Sequence, residues 1–123
     1  MVKLVFCCRR LPELSREQFQ RYWRETHGPL VRRHAGVLRI RRYVQTHTLD
    51  HPMNAFLAHG RAAPQEFDGI AELWWDSLDD LAAASATAEG RAAAQELLED
   101  ERRFIDHARS PLWVCQEHPF VET

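Results

Sequence analysis

Apolar and polar residues follow two different periods along this chain, and the changes of period divide it into strands and helices. Residues 2–8 form a short apolar run of β-forming residues, which predicts a buried strand. Ser15 and Gln18 are spaced as a capping box, which marks the start of a helix. One face of that helix is defined by residues at helical spacing, namely Phe19, Tyr22, Trp23, Thr26, His27, Leu30, Val31 and His34.

The rest of the chain repeats this order of strand and helix. A residue before proline disfavours the α region, so we expect the first helix to end or kink at His27-Gly28 and to restart with Pro29. Residues 37–48 alternate and predict a long strand, and residues 68–76 predict the next one. Ser77 then caps a short helix. A longer, alanine-rich helix is expected to run to about His107, and residues 112–121 predict a last strand.

The predicted order is β-α-β-β-α-β, the split βαβ pattern of the ferredoxin-like α+β fold. We expect residues 1–123 to form one such domain, with both helices on one face of a four-stranded antiparallel sheet. The other face is left bare, and we expect it to carry Tyr43, Gln45, Glu72 and Trp74. A bare face of mixed polar and aromatic side chains needs a partner, which predicts a homodimer.

The connection 49–67 is long for so small a domain. It contains Pro52, Gly60 and Pro64 and no long periodic segment, and connections of this length are usually functional or mobile. A short helix is expected from Met53 to His59. Its apolar residues either pack on the surface or cover a pocket, in which case the connection is a lid.

Composition and charge exclude several classes of function. The chain has 16 basic and 18 acidic residues, a net charge of −2, and they are interspersed, so a nucleic-acid surface is not expected. No apolar segment approaches the length that spans a membrane, and the apolar run at residues 2–8 is too short for a signal peptide. We therefore expect a cytoplasmic protein.

Cysteine and histidine spacing predicts neither a disulfide framework nor a metal site. Three cysteines are an odd number, and Cys7 and Cys8 point to opposite faces of a strand, so they cannot hold one metal ion together. His47 and His51 are four residues apart, but Pro52 follows them and no helix is expected to align them. We predict no metal and no cofactor.

Three segments occur in an order and at a spacing that point to a known family. They are Thr26-His27-Gly28-Pro29-Leu30, Arg42-Tyr43-Val44-Gln45-Thr46-His47, and the stretch Phe-Asp-Gly-Ile-Ala-Glu-Leu-Trp-Trp-Asp-Ser at 67–77. Together they resemble the EthD-domain family, a branch of the dimeric α/β-barrel superfamily. The resemblance implies a cavity between sheet and helices near the His-Gly-Pro turn. It also implies chemistry like that of fungal relatives, which are decarboxylases or dehydratases of aromatic polyketides.

Three residues are candidates for catalysis. His27 lies on the inward stripe of the first helix, and histidine is the side chain most often used to move a proton, so it is the first candidate. The alternative is a histidine that only caps the helix end. His47 and Glu72 are further candidates; a buried Glu72 would act as an acid or base, unless it forms a salt bridge to an arginine of the second strand.

Other side chains are candidates for holding a substrate. Tyr43 and Gln45 are expected to orient a phenol or carbonyl oxygen, or to belong to a hydrogen-bonded dimer interface. Trp23 and Trp74 offer flat walls for a ring-shaped ligand, although tryptophans at such spacing are usually core residues. His107 is a haem ligand only by analogy with haem-binding barrels, and its position also suits a cation at a helix end.

These candidates favour a cofactor-independent lyase or isomerase. It would dehydrate, decarboxylate or isomerise a hydrophobic aromatic or cyclic oxygenated molecule by proton transfer. Two alternatives stay open: a non-catalytic module that binds a small hydrophobic ligand, and a cofactor-free monooxygenase of the kind found among similar barrels.

Overall fold

Four strands form one antiparallel sheet in the order β2-β3-β1-β4. The structure is a computed structural model that describes all 123 residues. Its strands are β1 (Val2–Cys8), β2 (Arg42–His47), β3 (Gly69–Trp75) and β4 (Leu112–Cys115). The helices that contribute to the core pack on one face, which we call the covered face, and the opposite face is the open face. The predicted ferredoxin-like α+β fold is confirmed.

The first helical layer is one continuous helix rather than two. It consists of α1 (Arg16–Tyr22), a π-helical turn (Trp23–His27) and α2 (Gly28–His34). We expected an end or a kink at His27-Gly28; the helix does not end there, and the irregularity is the π turn that immediately precedes Gly28. Gly28 has no Cβ to clash with Pro29, so it keeps helical dihedral angles, and its N–H reaches back five residues to the carbonyl of Trp23.

The remaining helices are α3 (Met53–His59), α4 (Leu78–Ala84) and α5 (Ala88–Glu101), followed by a 3-10 turn (His107–Arg109). The short helix from Met53 to His59 is confirmed. The long helix ends at Glu101 instead of about His107, because the chain turns there to bring Phe104 and Ile105 into the core. None of the helices combines the length and apolar character that crossing a bilayer requires.

Two predicted strands are shorter than expected. Residues 37–41 form a turn in which Arg39 has a φ of 59°, and pairing with β3 begins at Arg42. The apolar residue Leu38 in this turn is buried in the helix layer, which explains the alternating pattern without a strand. β4 ends at Cys115, and beyond it Glu117 accepts a hydrogen bond of 2.7 Å from the indole of Trp74 on the open face.

The register of β2 on β3 decides which side chains share a face. Tyr43 lies opposite Leu73 and Gln45 opposite Ala71, so both point to the covered face. Glu72 pairs with Val44 and points to the open face, as does Trp74. The prediction that Tyr43 and Gln45 lie on the bare face with Glu72 and Trp74 is therefore wrong. Polarity suggested a solvent-facing side, but these polar groups bond to the helix layer instead.

The core between sheet and helices has two clusters. The first contains Phe6, Cys8, Phe19, Trp23, Ala71, Phe104 and Ile105. The second contains Val31, Leu38, Ala84, Ala93 and Leu97. Tyr43 and Leu73 pack against both clusters, so they lie where the two parts of the core meet.

Candidate functional site

An apolar cavity of about 90 Å³ lies where the two core clusters meet, and we call it the inner cavity. Most of its wall is aliphatic or aromatic. His27, Tyr43 and Glu101 contribute charged or polar side chains to the wall, and Trp23 adds an indole N–H. Leu112 also lines it and is half exposed, so the cavity approaches the surface beside β4.

His27 is buried at the end of the π turn and forms a pair with Asp100 of α5. The imidazole Nδ1 lies 2.8 Å from Oδ2 of Asp100, and the hydroxyl of Tyr22 donates to the other carboxylate oxygen at 2.5 Å. A carboxylate beside Nδ1 favours the tautomer that carries its proton there. The second nitrogen, Nε2, has no hydrogen-bond partner in the chain and is left as a base.

Aromatic residues pack around this pair. The ring of His27 lies 5.0 Å from that of Phe104, which is fully buried, and Tyr22 packs on the same phenylalanine. Burial raises the pKa of Tyr22, and its hydrogen bond to Asp100 raises it further. Tyr22 therefore stays a hydrogen-bond donor that orients the Asp100 carboxylate.

Asp100 is a site residue that the sequence reasoning did not identify. It belongs to the run Glu99-Asp100-Glu101 at the C-terminal end of α5, where no basic residue occurs in the last turn. Negative charge is unfavourable at a helix C-terminus, because that end of the helix dipole is itself negative. Carboxylates at a helix C-terminus need specific partners. The acidic run at the end of α5 therefore indicates in the sequence that Asp100 has a partner elsewhere in the chain. Asp100 has His27, and Glu101 accepts from His107 at 3.0 Å.

Tyr43, Gln45 and His47 form a hydrogen-bonded row along β2. The amide nitrogen of Gln45 donates to the Tyr43 hydroxyl and to the Trp23 carbonyl, both at 2.8 Å, and His47 Nε2 lies 2.8 Å from the Gln45 carbonyl oxygen. Because the Tyr43 oxygen accepts from Gln45, its own proton is available to another acceptor. Burial raises the pKa of Tyr43 to about 12, so the phenol stays protonated.

His47 does not line the inner cavity but contacts Trp23, which does. Its ring stacks on Trp23 at 4.5 Å between centroids, and its Nδ1 is buried without a partner. Burial lowers the pKa of His47, and the charge of Arg24 lowers it further, so the neutral ring is favoured. The arrangement makes His47 a support for Gln45, and its catalytic role stays a prediction.

Glu72 and Trp74 are on the other side of the sheet from His27. The carboxylate of Glu72 accepts from Lys3 Nζ at 2.5 Å, so its partner is a lysine of β1 and not an arginine of β2. Trp74 is covered by the guanidinium of Arg42, which lies 4.6 Å from its ring centroid. The structure therefore brings together His27, Tyr43 and Trp23, with Gln45 and His47 behind them, but not Glu72 or Trp74.

A second, larger depression of about 370 Å³ opens beside β2, and we call it the arginine groove. It is lined by Arg24 and Arg32 of the first helix and by Arg41 and Arg42 at the start of β2. Tyr43 lines both the groove and the inner cavity. The two spaces therefore share a wall.

The connection 49–67 does not line the inner cavity or the arginine groove. Its helix α3 buries no residue, and Met53, Phe56 and Leu57 are exposed. A role as a lid thus stays a prediction. No three His, Cys, Asp or Glu side chains come together as a set of metal ligands.

Comparisons with known proteins place this chain among proteins of the same fold. A solved ethyl tert-butyl ether D (EthD) family protein from Bacillus halodurans C-125 is similar over 96% of this chain and 99% of its own, with 24% identity and a TM-score of 0.63. An EthD-like protein from Ralstonia eutropha JMP134 is similar over 94% of this chain and 90% of its own, with 18% identity and a TM-score of 0.59.

A third solved structure, from Bacteroides fragilis NCTC 9343, is described as a dimeric protein of unknown function with a ferredoxin-like fold. The similarity covers 94% of this chain and 95% of that one, with 11% identity and a TM-score of 0.59. No curated protein matches the chain. The family model of the EthD domain matches residues 11–108, which include the helix bearing His27, the row on β2 and the helix bearing Asp100. The chain therefore belongs to the EthD domain family.

Proposed function

We propose that this protein is a cofactor-independent lyase or isomerase that moves a proton on a hydrophobic aromatic or cyclic oxygenated molecule. The observation that carries the proposal is the buried pair of His27 and Asp100 at the wall of an apolar cavity. A base oriented by a carboxylate at the wall of an apolar cavity is an arrangement suited to proton transfer.

The chemistry follows from the two free groups at the cavity wall. His27 Nε2 takes a proton from a carbon next to a carbonyl group, and Asp100 stabilises the imidazolium that forms. Tyr43 donates its phenol proton as a hydrogen bond to the carbonyl oxygen as it becomes an enolate. The imidazolium then returns the proton to another carbon, which is an isomerisation, or to a leaving hydroxide, which releases water.

The size of the inner cavity limits what enters without movement. An apolar void of roughly 150 Å³ accepts benzene, whereas the inner cavity measures about 90 Å³. A ring-shaped substrate therefore has to displace part of the wall. Leu112 is the half-exposed wall residue, on the edge strand β4, so this side is where displacement disturbs the fewest contacts.

A test of this proposal needs no knowledge of the natural substrate. In D₂O, the wild-type protein is expected to exchange the α-protons of cyclic ketones such as 2-tetralone faster than buffer does, as followed by NMR. His27→Gln should reduce the protein-dependent rate by about 10²–10⁴-fold, and Asp100→Asn should also reduce it, because an amide beside Nδ1 no longer holds the imidazole proton there and lets it move to Nε2, which removes the base.

His34→Gln is the matched control. His34 lies seven residues further along the same helix and pairs with Glu96 of α5 at 2.9 Å, but it is outside the inner cavity. It should leave the exchange rate unchanged. A folded His27→Gln protein that exchanges at the wild-type rate would rule out the role of His27.

A non-catalytic ligand-binding module is the second candidate, and the mostly apolar wall of the inner cavity favours it. The same experiment separates the two candidates. Ketones that bind tightly but show no protein-dependent exchange in wild type would favour the binding module over the enzyme.

We also propose that the protein is a homodimer that buries the open face. Val44 and Ile70 are half-buried on this face, and Trp113 is half exposed on it. The open face therefore offers apolar surface to a second copy. The Bacteroides relative, described as dimeric, is consistent with this. Sedimentation at micromolar concentration should give about twice the 14.4 kDa chain mass.

Val44→Lys should shift the protein toward the monomer, because it buries an unpaired charge in the proposed interface. Val37→Lys is its control, since Val37 is exposed in the turn before β2. A wild-type protein that sediments as a monomer at this concentration would exclude the dimer.

A further inference from the structure

We propose that the arginine groove binds the carboxylate of a small aromatic ligand. The proposed function already assumes an aromatic or cyclic ligand, and this inference rests on it. What it adds is that the ligand carries a negative charge. Its starting point is a contrast: the chain as a whole has a net charge of −2, yet the groove carries four arginines and no acidic side chain.

The four arginines of the groove lack close carboxylate partners within the chain. Arg24 lies 3.8 Å from Glu25, and Arg41 lies 3.7 Å from Asp76, both at the exposed surface. Arg32 and Arg42 form no ion pair. Ion pairs between exposed groups at such distances contribute little, so most of the positive charge in the groove is uncompensated.

Other arginines of the same chain are paired closely. Arg21 and Arg39 each donate to a carboxylate at 2.8 Å, and Arg16 donates to the buried Asp68 at 2.9 Å. Several arginines elsewhere in the chain also form no ion pair, so what distinguishes the groove is that its arginines lie together with no acidic side chain in the lining. A guanidinium group holds a carboxylate through two parallel hydrogen bonds, so the groove suits an organic anion.

The floor of the groove suits an aromatic group. Pro29, Ile40 and Tyr43 give it apolar surface, and Gln45 reaches it from β2. The helix can pass close to the sheet here because of Gly28, where a Cβ would come within 3.0 Å of the Gln45 amide nitrogen. Arg42 stacks on Trp74 on the open face, so its guanidinium is turned away from Tyr43, and Arg24, Arg32 and Arg41 are the arginines that can reach a ligand in the groove.

Because Tyr43 also lines the inner cavity, a ligand in the groove lies next to the group that we expect to hold a substrate oxygen. A carboxylate at the arginines would hold the ligand at one end. Its ring and its oxygen would then face Tyr43, the residue that the groove shares with the inner cavity.

Benzoate and its neutral counterpart benzyl alcohol are the probes that test this inference. In titrations followed by amide NMR shifts, benzoate should move the signals of Gly28 and Gln45 and bind more tightly than benzyl alcohol. The double variant Arg32→Gln/Arg41→Gln should weaken benzoate binding roughly tenfold or more, since it removes charge-assisted hydrogen bonds. Its affinity for benzyl alcohol should not change.

Arg33→Gln is the matched control, because Arg33 lies on the same helix, is exposed and does not line the groove. It should bind benzoate as wild type does. Unchanged benzoate affinity in the folded double variant overturns the proposal. So does a change in oligomeric mass without a change in benzoate affinity, which would mean that the arginines bind a second copy.

Inorganic phosphate is the remaining probe. Phosphate that binds more tightly than benzoate at the same arginines overturns the assignment to a carboxylate. These experiments measure binding and not turnover. His27 does not line the groove, so His27→Gln should bind benzoate as wild type does. Failure of the His27 experiment and failure of this one are therefore distinguishable.

Discussion

Asp68→Asn is expected to lower the free energy of unfolding by roughly 3 kcal/mol, because it removes the negative charge of a buried ion pair and leaves the positive charges in place. Asp68 is almost completely buried and accepts from Arg10, which follows β1, and from Arg16, the first residue of α1. One carboxylate oxygen accepts from the side chains of Arg10 and Arg16, and the other accepts from the backbone N–H of Arg10 at 2.8 Å. The variant leaves two arginines facing a neutral amide.

The effect of pH distinguishes this loss of charge from a loss of packing. Burial by itself raises the pKa of Asp68, but the hydrogen bonds and charges of Arg10 and Arg16 outweigh it and hold the pKa below the ordinary value of 3.8. A depressed carboxyl pKa stabilises the fold above the unfolded pKa, and this stability is lost as the pH falls through the folded pKa. The difference between wild type and variant should persist from pH 8 to 5 and shrink below about pH 3.8.

Urea denaturation at several pH values measures this difference. Asp50→Asn is the control, because Asp50 is exposed and forms no ion pair, and it should change stability by no more than about 0.5 kcal/mol. A difference between wild type and Asp68→Asn that has already vanished at pH 5 would contradict the proposed cause.

Gly69→Ala is expected to cost about 3 kcal/mol and to distort the inner cavity. A Cβ at this position would overlap with the ring of Trp23 and lie 2.8 Å from the carbonyl oxygen of Thr46. Trp23 is fully buried, so its ring cannot swing into solvent, and the strand cannot move without breaking the pairing of β2 with β3. Overpacking of this kind destabilises a core by strain.

Gly36→Ala is the matched control, since no atom lies within 4 Å of a Cβ built there. It should be neutral or slightly stabilising, because alanine restricts the unfolded chain. Urea denaturation followed by tryptophan fluorescence compares the two variants. Equal stability of Gly69→Ala and wild type would mean that the Trp23 ring can move away from residue 69. Trp23 would then not be a fixed part of the wall of the inner cavity.

The fold was predictable from local patterns because each pattern has a local cause. The capping box of Ser15 and Gln18 forms as predicted, with hydrogen bonds of 2.9 and 3.1 Å. The order of strands and helices follows from changes of hydrophobic period, which report burial on one face. The candidate His27 was likewise identified from its place on the inward stripe of the first helix.

What the sequence did not reveal depends on contacts between distant segments. The face of Tyr43 and Gln45 is set by their register on β3, and no property of β2 alone fixes it. Asp100 is 73 residues away from His27 along the chain. The arginine groove combines a helix with the start of a strand, so its charge is spread over the sequence and does not form a basic tract.

The π turn gives the first helix two orientations toward the core. One extra residue in a helical turn rotates everything that follows by roughly 100° about the axis. The part of the helix before the turn contributes Phe19 to the first core cluster, and the part after it contributes Val31 to the second. Trp23 and His27 lie in the π turn itself, so one helix packs into both core clusters and leaves His27 at the junction between them.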